Sequence, residues 1–148
     1  MYKKILVPLD GSERAESILT HVKGLASCLE SEVILLRVFK TDFSLVDYYG
    51  HDPKFYEAIR ANCKDEILAY LTEIQAEQLG TGLKVRRLAE EGPVIDTILS
   101  VADRESADLI AMSSHGRTGL SRVIYGSVAA GVLCKVDRPL LLIRREES

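Results

Sequence analysis

Short apolar runs alternate with longer amphipathic stretches along this chain. The first run, residues 5–7, is continuous and predicts a strand buried on both faces of a sheet. From Ser12 to Leu29 apolar residues recur every three or four positions, which predicts a helix with Ser12 as its N-cap. Residues 33–38 repeat the strand pattern, interrupted only by Arg37. These three segments predict a βαβ unit.

The same alternation continues to the end of the sequence. A helical stripe over residues 55–74 ends before Gly80, and residues 83–87 alternate in polarity like an edge strand. Pro93 is suited to the first position of a third helix, which is followed by a strand over residues 108–112, a helix over 127–136 and a strand over 139–143. The pattern predicts one α/β domain over residues 1–148, an open parallel sheet of five strands with helices on both faces.

Composition and charge exclude several classes of protein. With 148 residues and 47% hydrophobic content, the chain can bury one core. A net charge of −3 argues against nucleic acid as a partner. The apolar runs are far shorter than the roughly 20 residues of a membrane helix, so we expect no membrane span. The N-terminus lacks the pattern of a signal peptide, and a cytoplasmic location is expected.

The cysteines and histidines are few and scattered. Each cysteine lies in a helical apolar pattern, which predicts buried structural thiols, and no pair of histidines has a metal-ligating spacing. We therefore predict no metal site made of protein ligands. The residues are Cys28, Cys63, Cys134, His21, His51 and His115.

Ligands of open parallel sheets bind beyond the carboxyl ends of the strands, where the strand order reverses. If the first and fourth strands are neighbours, residues 8–12 and 113–125 line that place. Gly116 and Gly126 allow backbone N–H groups to approach an anion, Gly126 and Ser127 begin a helix, and Arg117 adds a positive charge. The alternative is that the glycines only permit turns and Ser127 only caps the helix.

Three segments of the chain resemble the universal stress protein family: residues 1–12 (MYKKILVPLDGS), 113–127 and 137–143 (DRPLLLI). The nucleotide signature of that family, G-x2-G-x9-G-[S/T], is present here as Ser113-x2-Gly116-x9-Gly126-Ser127. Ser113 replaces the first glycine, and we expect weakened or retained binding rather than its loss. The remaining positions are similar to the ATP-binding branch of the family.

The resemblance implies a Rossmann-like fold of the adenine nucleotide alpha hydrolase type that binds ATP, or ADP or AMP, with Mg²⁺. It places Asp10 toward the ribose or a phosphate-bound metal ion and the backbone of Val38 toward adenine. It also implies a homodimer through the closing strand, from Pro139 to Ile143. The residues that it assigns to the nucleotide are Pro8, Leu9, Asp10, Val38, Ser113, His115, Gly116, Arg117, Gly126, Ser127 and Val128.

Other nucleotide-dependent functions find less support. The chain has no Gly-Lys pair for a Walker A loop and no GxGxxG after a strand. His115 or Asp10 could position water for slow ATP hydrolysis, but the sequence supplies no dedicated catalytic set and we assign no catalytic residue. The favoured function is a nucleotide-binding stress or regulatory protein with little turnover. The alternatives are a slow ATPase and a protein-interaction module that does not bind ATP.

Overall fold

The computed structural model describes residues 1–41, 44, 52–114 and 125–144. Strands and helices alternate through these residues, and a π-helical turn, Gln75–Leu79, extends the longest helix. The strands are β1 (Lys4–Pro8), β2 (Glu32–Phe39), β3 (Lys84–Glu91), β4 (Leu109–Ser113) and β5 (Leu140–Ile143). The helices are α1 (Glu13–Glu16), α2 (Ile18–Leu29), α3 (Pro53–Ile74), α4 (Val94–Arg104) and α5 (Ser127–Lys135).

All strand pairs of the sheet are parallel, and the strand order is β3-β2-β1-β4-β5. β1 therefore lies between β2 and β4, which confirms the predicted neighbourhood of the first and fourth strands. β3 and β5 form the two edges. Because the chain moves outward from β1 to β3 and then crosses to β4, the strand order reverses between β1 and β4, at the centre of the sheet.

Helices cover both faces of the sheet, as the alternating pattern predicts. One face packs against α1, α2 and α3, and the other packs against α4 and α5. Successive residues of a strand point to opposite faces, so β1 contributes Ile5 and Val7 to the first core and Leu6 to the second. All three side chains are fully buried. The continuous apolar run at the start of the chain is thus a two-sided strand.

Three local predictions differ from the structure. The first helix is interrupted at Ser17, whose hydroxyl donates to the Arg14 carbonyl oxygen at 2.6 Å. Pro93 is the N-cap of α4 and not its first residue. β3 extends to Glu91, beyond the predicted end at Arg87, because it pairs with β2 along its whole length. Sequence alternation alone misses this extension, since the neighbouring strand imposes it.

The prediction of buried cysteines was wrong. Cys28 and Cys134 are exposed and Cys63 is half-buried. Cys28 follows the buried Ala26 by two positions, and Cys134 follows the buried Val132 by two. Two positions correspond to a rotation of about 200° around a helix, which turns both thiols away from the core.

Candidate functional site

A cleft of about 320 Å³ lies at the carboxyl ends of β1, β2 and β4, where the strand order reverses. Its position is the one expected for a ligand site in an open parallel sheet, and its volume is in the range of small-molecule sites. The described residues that line it are Pro8, Leu9, Asp10, Ala15, Arg37, Val38, Val94, Ile98, Met112, Ser113, Ser114, Gly126, Ser127, Val128 and Ala129.

The structure brings together most of the residues that the sequence assigns to a nucleotide. Eight of them line the cleft: Pro8, Leu9, Asp10, Val38, Ser113, Gly126, Ser127 and Val128. They come from β1, β2, β4 and α5, which are distant in sequence. The other three, His115, Gly116 and Arg117, lie outside the described residues.

The start of α5 forms a polar end of the cleft. Gly126 is the N-cap and donates its N–H to the Ser114 carbonyl oxygen at 2.6 Å, while the Ser114 N–H donates to the carbonyl oxygen of Ile143 at 2.8 Å. These bonds fix the beginning of α5 beside the ends of β4 and β5. Among the described residues, no side chain caps this helix. The N–H groups of its first turn thus offer positive ends of peptide dipoles to a negative ligand group.

The loop after β1 is held by hydrogen bonds within the loop. Asp10 accepts from the N–H of Ser12 at 2.9 Å and from its hydroxyl at 2.5 Å, and the Ser12 hydroxyl oxygen accepts from the N–H of Ala15 at 3.2 Å. Gly11 connects them with φ +85°, a conformation that favours glycine. The predicted N-cap role of Ser12 is confirmed, and Asp10, which this turn holds, lines the cleft.

Arg37 lies beside this loop. Its guanidinium carbon is 5.1 Å from the centroid of the Tyr70 ring, within the range of a cation–π contact. The Tyr70 hydroxyl donates to the Glu16 carboxylate at 2.7 Å. Burial, together with this hydrogen bond and the negative charge of Glu16, raises the pKa of Tyr70 well above its usual range. Tyr70 therefore stays protonated, and its hydrogen bond to Glu16 fixes the ring on which Arg37 rests.

The remaining wall of the cleft is apolar. It is built on the sheet face that α4 and α5 cover, by Val38 of β2, Met112 of β4, and Val94 and Ile98 of α4. Such a wall suits a flat apolar ligand group, with the neighbouring polar groups left to fix its orientation.

Glu91, the last residue of β3, connects three segments of the chain. Its carboxylate accepts from the hydroxyls of Thr41 at 2.5 Å and Tyr56 at 2.7 Å, and it pairs with Arg60 at 2.8 Å. Burial alone would raise the pKa of Glu91, but the two hydrogen bonds and the charges of Arg60 and Lys64 lower it below its usual value. An ionised Glu91 thus ties α3 and the end of β2 to the end of β3.

Sequence reasoning missed several residues of the cleft, and one of them had a visible signal. Arg37 interrupts an otherwise apolar strand, which is unusual for a residue without a role. The others are apolar or small residues whose periodicity marks them only as core, or a serine in a polar loop. They are Ala15, Val94, Ile98, Met112, Ser114 and Ala129.

The described residues contain no cluster of three or more histidine, cysteine, aspartate or glutamate side chains that could hold a metal ion. No helix among them is both long and apolar enough to cross a membrane.

An open parallel sheet, helices on both faces and a cleft at the reversal of strand order define a Rossmann-like α/β domain. Comparison with known proteins makes the assignment more specific. The model of the universal stress protein family matches residues 1–144. The chain belongs to this family.

Individual relatives agree with this assignment. The chain is 35% identical over 159 residues to Universal stress protein MJ0577 of Methanocaldococcus jannaschii, covering 100% of this chain and 98% of the relative. The solved structure of MJ0577 superposes with a TM-score of 0.81 at 34% identity and covers 100% of this chain and 99% of the relative.

Two more distant solved structures share the fold. One is a universal stress protein from Archaeoglobus fulgidus in complex with dAMP, with a TM-score of 0.62 at 21% identity, covering 95% of this chain and 97% of the other. The second is a universal stress protein in complex with cAMP, with a TM-score of 0.64 at 17% identity, covering 97% of each chain.

Proposed function

We propose that this chain binds an adenine nucleotide in the cleft and acts as a regulatory stress protein with little or no turnover. The preferred candidate ligand is ATP with Mg²⁺, and ADP and AMP are the alternatives. The observation that carries the proposal is that one cleft is lined by three chemically different features. Its apolar wall suits a base, its carboxylate residue suits a ribose, and the helix N-terminus suits phosphates.

Each lining supports one part of the assignment. The wall of Val38, Val94 and Ile98 offers apolar surface to the base, and the Asp10 carboxylate can accept from ribose hydroxyls. The N-terminus of α5 at Gly126 and Ser127 suits the phosphates. The complexes with dAMP and cAMP support the class of ligand, since both are adenine nucleotides bound by proteins of the same fold.

Mg²⁺ is assigned mainly to the phosphates. It commonly binds through one or two carboxylates together with substrate phosphates, and Asp10 is the one carboxylate residue among the described residues that line the cleft. A bound cation would neutralise phosphate charge that the helix dipole compensates only in part. Omission of Mg²⁺ is therefore expected to weaken binding of ATP more than binding of AMP, in a titration of each nucleotide with and without the metal.

The first experiment identifies any nucleotide released from denatured, freshly purified protein by mass spectrometry, then titrates the stripped protein with ATP and Mg²⁺ by calorimetry. Gly126→Val is the test variant, because the φ of −65° and ψ of 162° at Gly126 admit valine and the substitution adds a branched side chain at a residue that lines the cleft. Gly82→Val is the control, since a Cβ there would meet nothing within 4 Å.

Binding to the wild type and to Gly82→Val, with more than tenfold loss in Gly126→Val, is the expected result. If the wild type releases no nucleotide and produces no heat, the nucleotide site is refuted and a protein-interaction role becomes the better proposal. Measurement of the phosphate released from ATP in the presence of Mg²⁺ distinguishes a protein that only binds ATP from a slow ATPase. We expect a rate far below the roughly 1 s⁻¹ of a slow enzyme.

A homodimer through β5 is the second part of the proposal. β5 is an edge strand, and its four residues, all apolar, are only partly buried. A groove of about 600 Å³ runs beside it, lined in part by Tyr2, Leu25 and Pro139. An apolar strand edge favours pairing with another chain. Light scattering at micromolar concentration is expected to give twice the monomer mass, and a monomeric mass would refute the dimer.

A further inference from the structure

Arg37 is a charged residue on an interior strand. β2 lies between β1 and β3, and the four residues from Val33 to Leu36 are fully buried and apolar. Arg37 follows them directly and is itself half-buried, and even partial burial of a guanidinium beside such a core is unfavourable unless the charge has a partner. Arg37 is one of the residues that line the cleft.

The contacts of the Arg37 guanidinium with other described residues are made through its faces. Its Nη1, Cζ and Nη2 atoms lie 3.1, 3.2 and 3.2 Å from the position that a Cβ of Gly11 would occupy. Nearly equal distances mean that the plane of the group faces Gly11. The Tyr70 ring supports it at 5.1 Å, and Tyr70 is itself held by Glu16. Face contacts of this kind leave the in-plane N–H groups for other acceptors.

Among the described residues, Arg37 forms no ion pair and donates no side-chain hydrogen bond, and its guanidinium contacts the Tyr70 ring. Its strand neighbour Val38 belongs to the apolar wall on the other face of the sheet, and Asp10 is the carboxylate of the same cleft. The N-terminus of α5 follows β4, two strands away from β2. Arg37 therefore lies on the Asp10 side of the cleft and away from the assigned phosphate end.

From this placement we infer that Arg37 donates a hydrogen bond to one ribose hydroxyl oxygen of the bound nucleotide and makes the cleft selective for nucleotides that carry this hydroxyl over the deoxy analogue that lacks it. The inference rests on the proposed nucleotide site. A hydroxyl both donates and accepts, so Asp10 can accept from it while Arg37 donates to its oxygen. An analogue that lacks this hydroxyl leaves both polar groups without their partner, which is an effective way for a site to reject it.

The test compares ATP, 2′-deoxy-ATP and 3′-deoxy-ATP by calorimetry on the wild type, Arg37→Met and Arg87→Met. Arg87 is the matched control: it lies on β3, carries the same charge, and hydrogen-bonds Gln75 at 2.7 Å outside the cleft. A hydrogen bond to a charged group contributes enough to change affinity about tenfold. Arg37→Met should lose about tenfold for ATP and less than twofold for the analogue that lacks the contacted hydroxyl. Arg87→Met should change none of the three by more than twofold.

A second pair of variants tests the support of the guanidinium without touching the cleft lining. Tyr70→Leu removes the ring, and we expect it to lower the preference for ATP over the deoxy analogue toward that of Arg37→Met. Tyr70→Phe keeps the ring and loses only the hydroxyl, so it should keep most of the preference. Thermal unfolding of each variant confirms that the comparison is between folded proteins.

The outcomes separate this inference from the proposed function. If wild type binds ATP but Arg37→Met weakens all three ligands by the same factor, or none, Arg37 does not contact the ribose and the nucleotide site still stands. If the wild type binds none of the three ligands, the nucleotide site itself is refuted, and the role of Arg37 with it.

Discussion

Gly11 offers a sharp test of the turn that presents Asp10. Its φ of +85° lies in the left-handed region, where a residue with a Cβ is disfavoured by about 1–2 kcal/mol. A Cβ at this position would also lie 3.1 Å from the guanidinium of Arg37, so that group would have to move by a few tenths of an ångström. Alanine restricts the unfolded chain, which offsets about 0.4–1 kcal/mol. We expect Gly11→Ala to lower the free energy of unfolding by about 1 kcal/mol.

Gly24 is the matched control. It lies within α2, and a Cβ there would meet nothing within 4 Å. Glycine inside a helix is less favourable than alanine by roughly 0.5–1 kcal/mol, so Gly24→Ala should raise the free energy of unfolding by that amount. The same chemical change is thus expected to have opposite signs at two positions of one chain, because only one of them requires a positive φ.

Urea and thermal unfolding measure both variants. For a chain of this size, 1 kcal/mol corresponds to a shift in Tm of about 2–4 °C. Gly11→Ala should unfold at a lower temperature than the wild type and Gly24→Ala at a higher one. If Gly11→Ala is as stable as the wild type, the turn does not depend on a left-handed residue. If both variants lose stability equally, the difference in backbone conformation does not explain the effect.

Two further predictions concern packing around the cleft. Glu91→Gln should lower the free energy of unfolding by about 1 kcal/mol at pH 7, because the amide is uncharged and accepts more weakly from Thr41 and Tyr56. Since the pKa of Glu91 is lowered from 4.5 in the folded state, its contribution is present above that value and disappears as the pH falls through the folded pKa. The difference between wild type and variant in urea titrations should therefore shrink on acidification, and a difference independent of pH would contradict the role of the charge. Gly131→Ala should lower the free energy of unfolding by about 1–2 kcal/mol, because the added Cβ would lie 2.1 Å from Cδ1 of Ile95. In an Ile95→Ala background the same change should raise the free energy of unfolding. An equal loss in both backgrounds would argue against this clash.

Much of the fold could be predicted from local patterns. The two-sided burial of β1 follows from its uninterrupted apolar residues, and the alternation of strands with helices implies parallel pairing and cover on both faces. The position of the cleft followed from one further rule, that clefts form where the strand order reverses. This is why residues as distant as Asp10 and Ser127 could be assigned to one place before any contact between their segments was known.

The features that escaped prediction depend on contacts between elements. Arg37 is identified in the sequence only as an interruption, and its support by Tyr70 appears when α3 packs on the sheet. Glu91 falls beyond the predicted end of its strand, and its partners Thr41 and Tyr56 are 50 and 35 positions away. Such pairs have no signature in a local pattern. These pairs are set by tertiary packing. Packing also determines which face of a helix is buried, and therefore whether a cysteine on that helix is buried or exposed.

Ser113 shows how the structure refines an interpretation based on a motif. In the family signature this position is glycine, and a glycine can be required either for its backbone conformation or for the space that it leaves. Ser113 is the last residue of β4 and pairs with Ile143 in the parallel sheet, an extended conformation open to any residue. The substitution therefore imposes no left-handed strain, and what it changes is the lining of the cleft, where a buried serine replaces bare backbone. The N-terminus of α5, which carries the proposed phosphate contacts, begins at Gly126, whose N–H donates to the carbonyl oxygen of Ser114 and not to Ser113. We therefore expect serine at this position to weaken or retain the affinity for the nucleotide, and not to abolish binding.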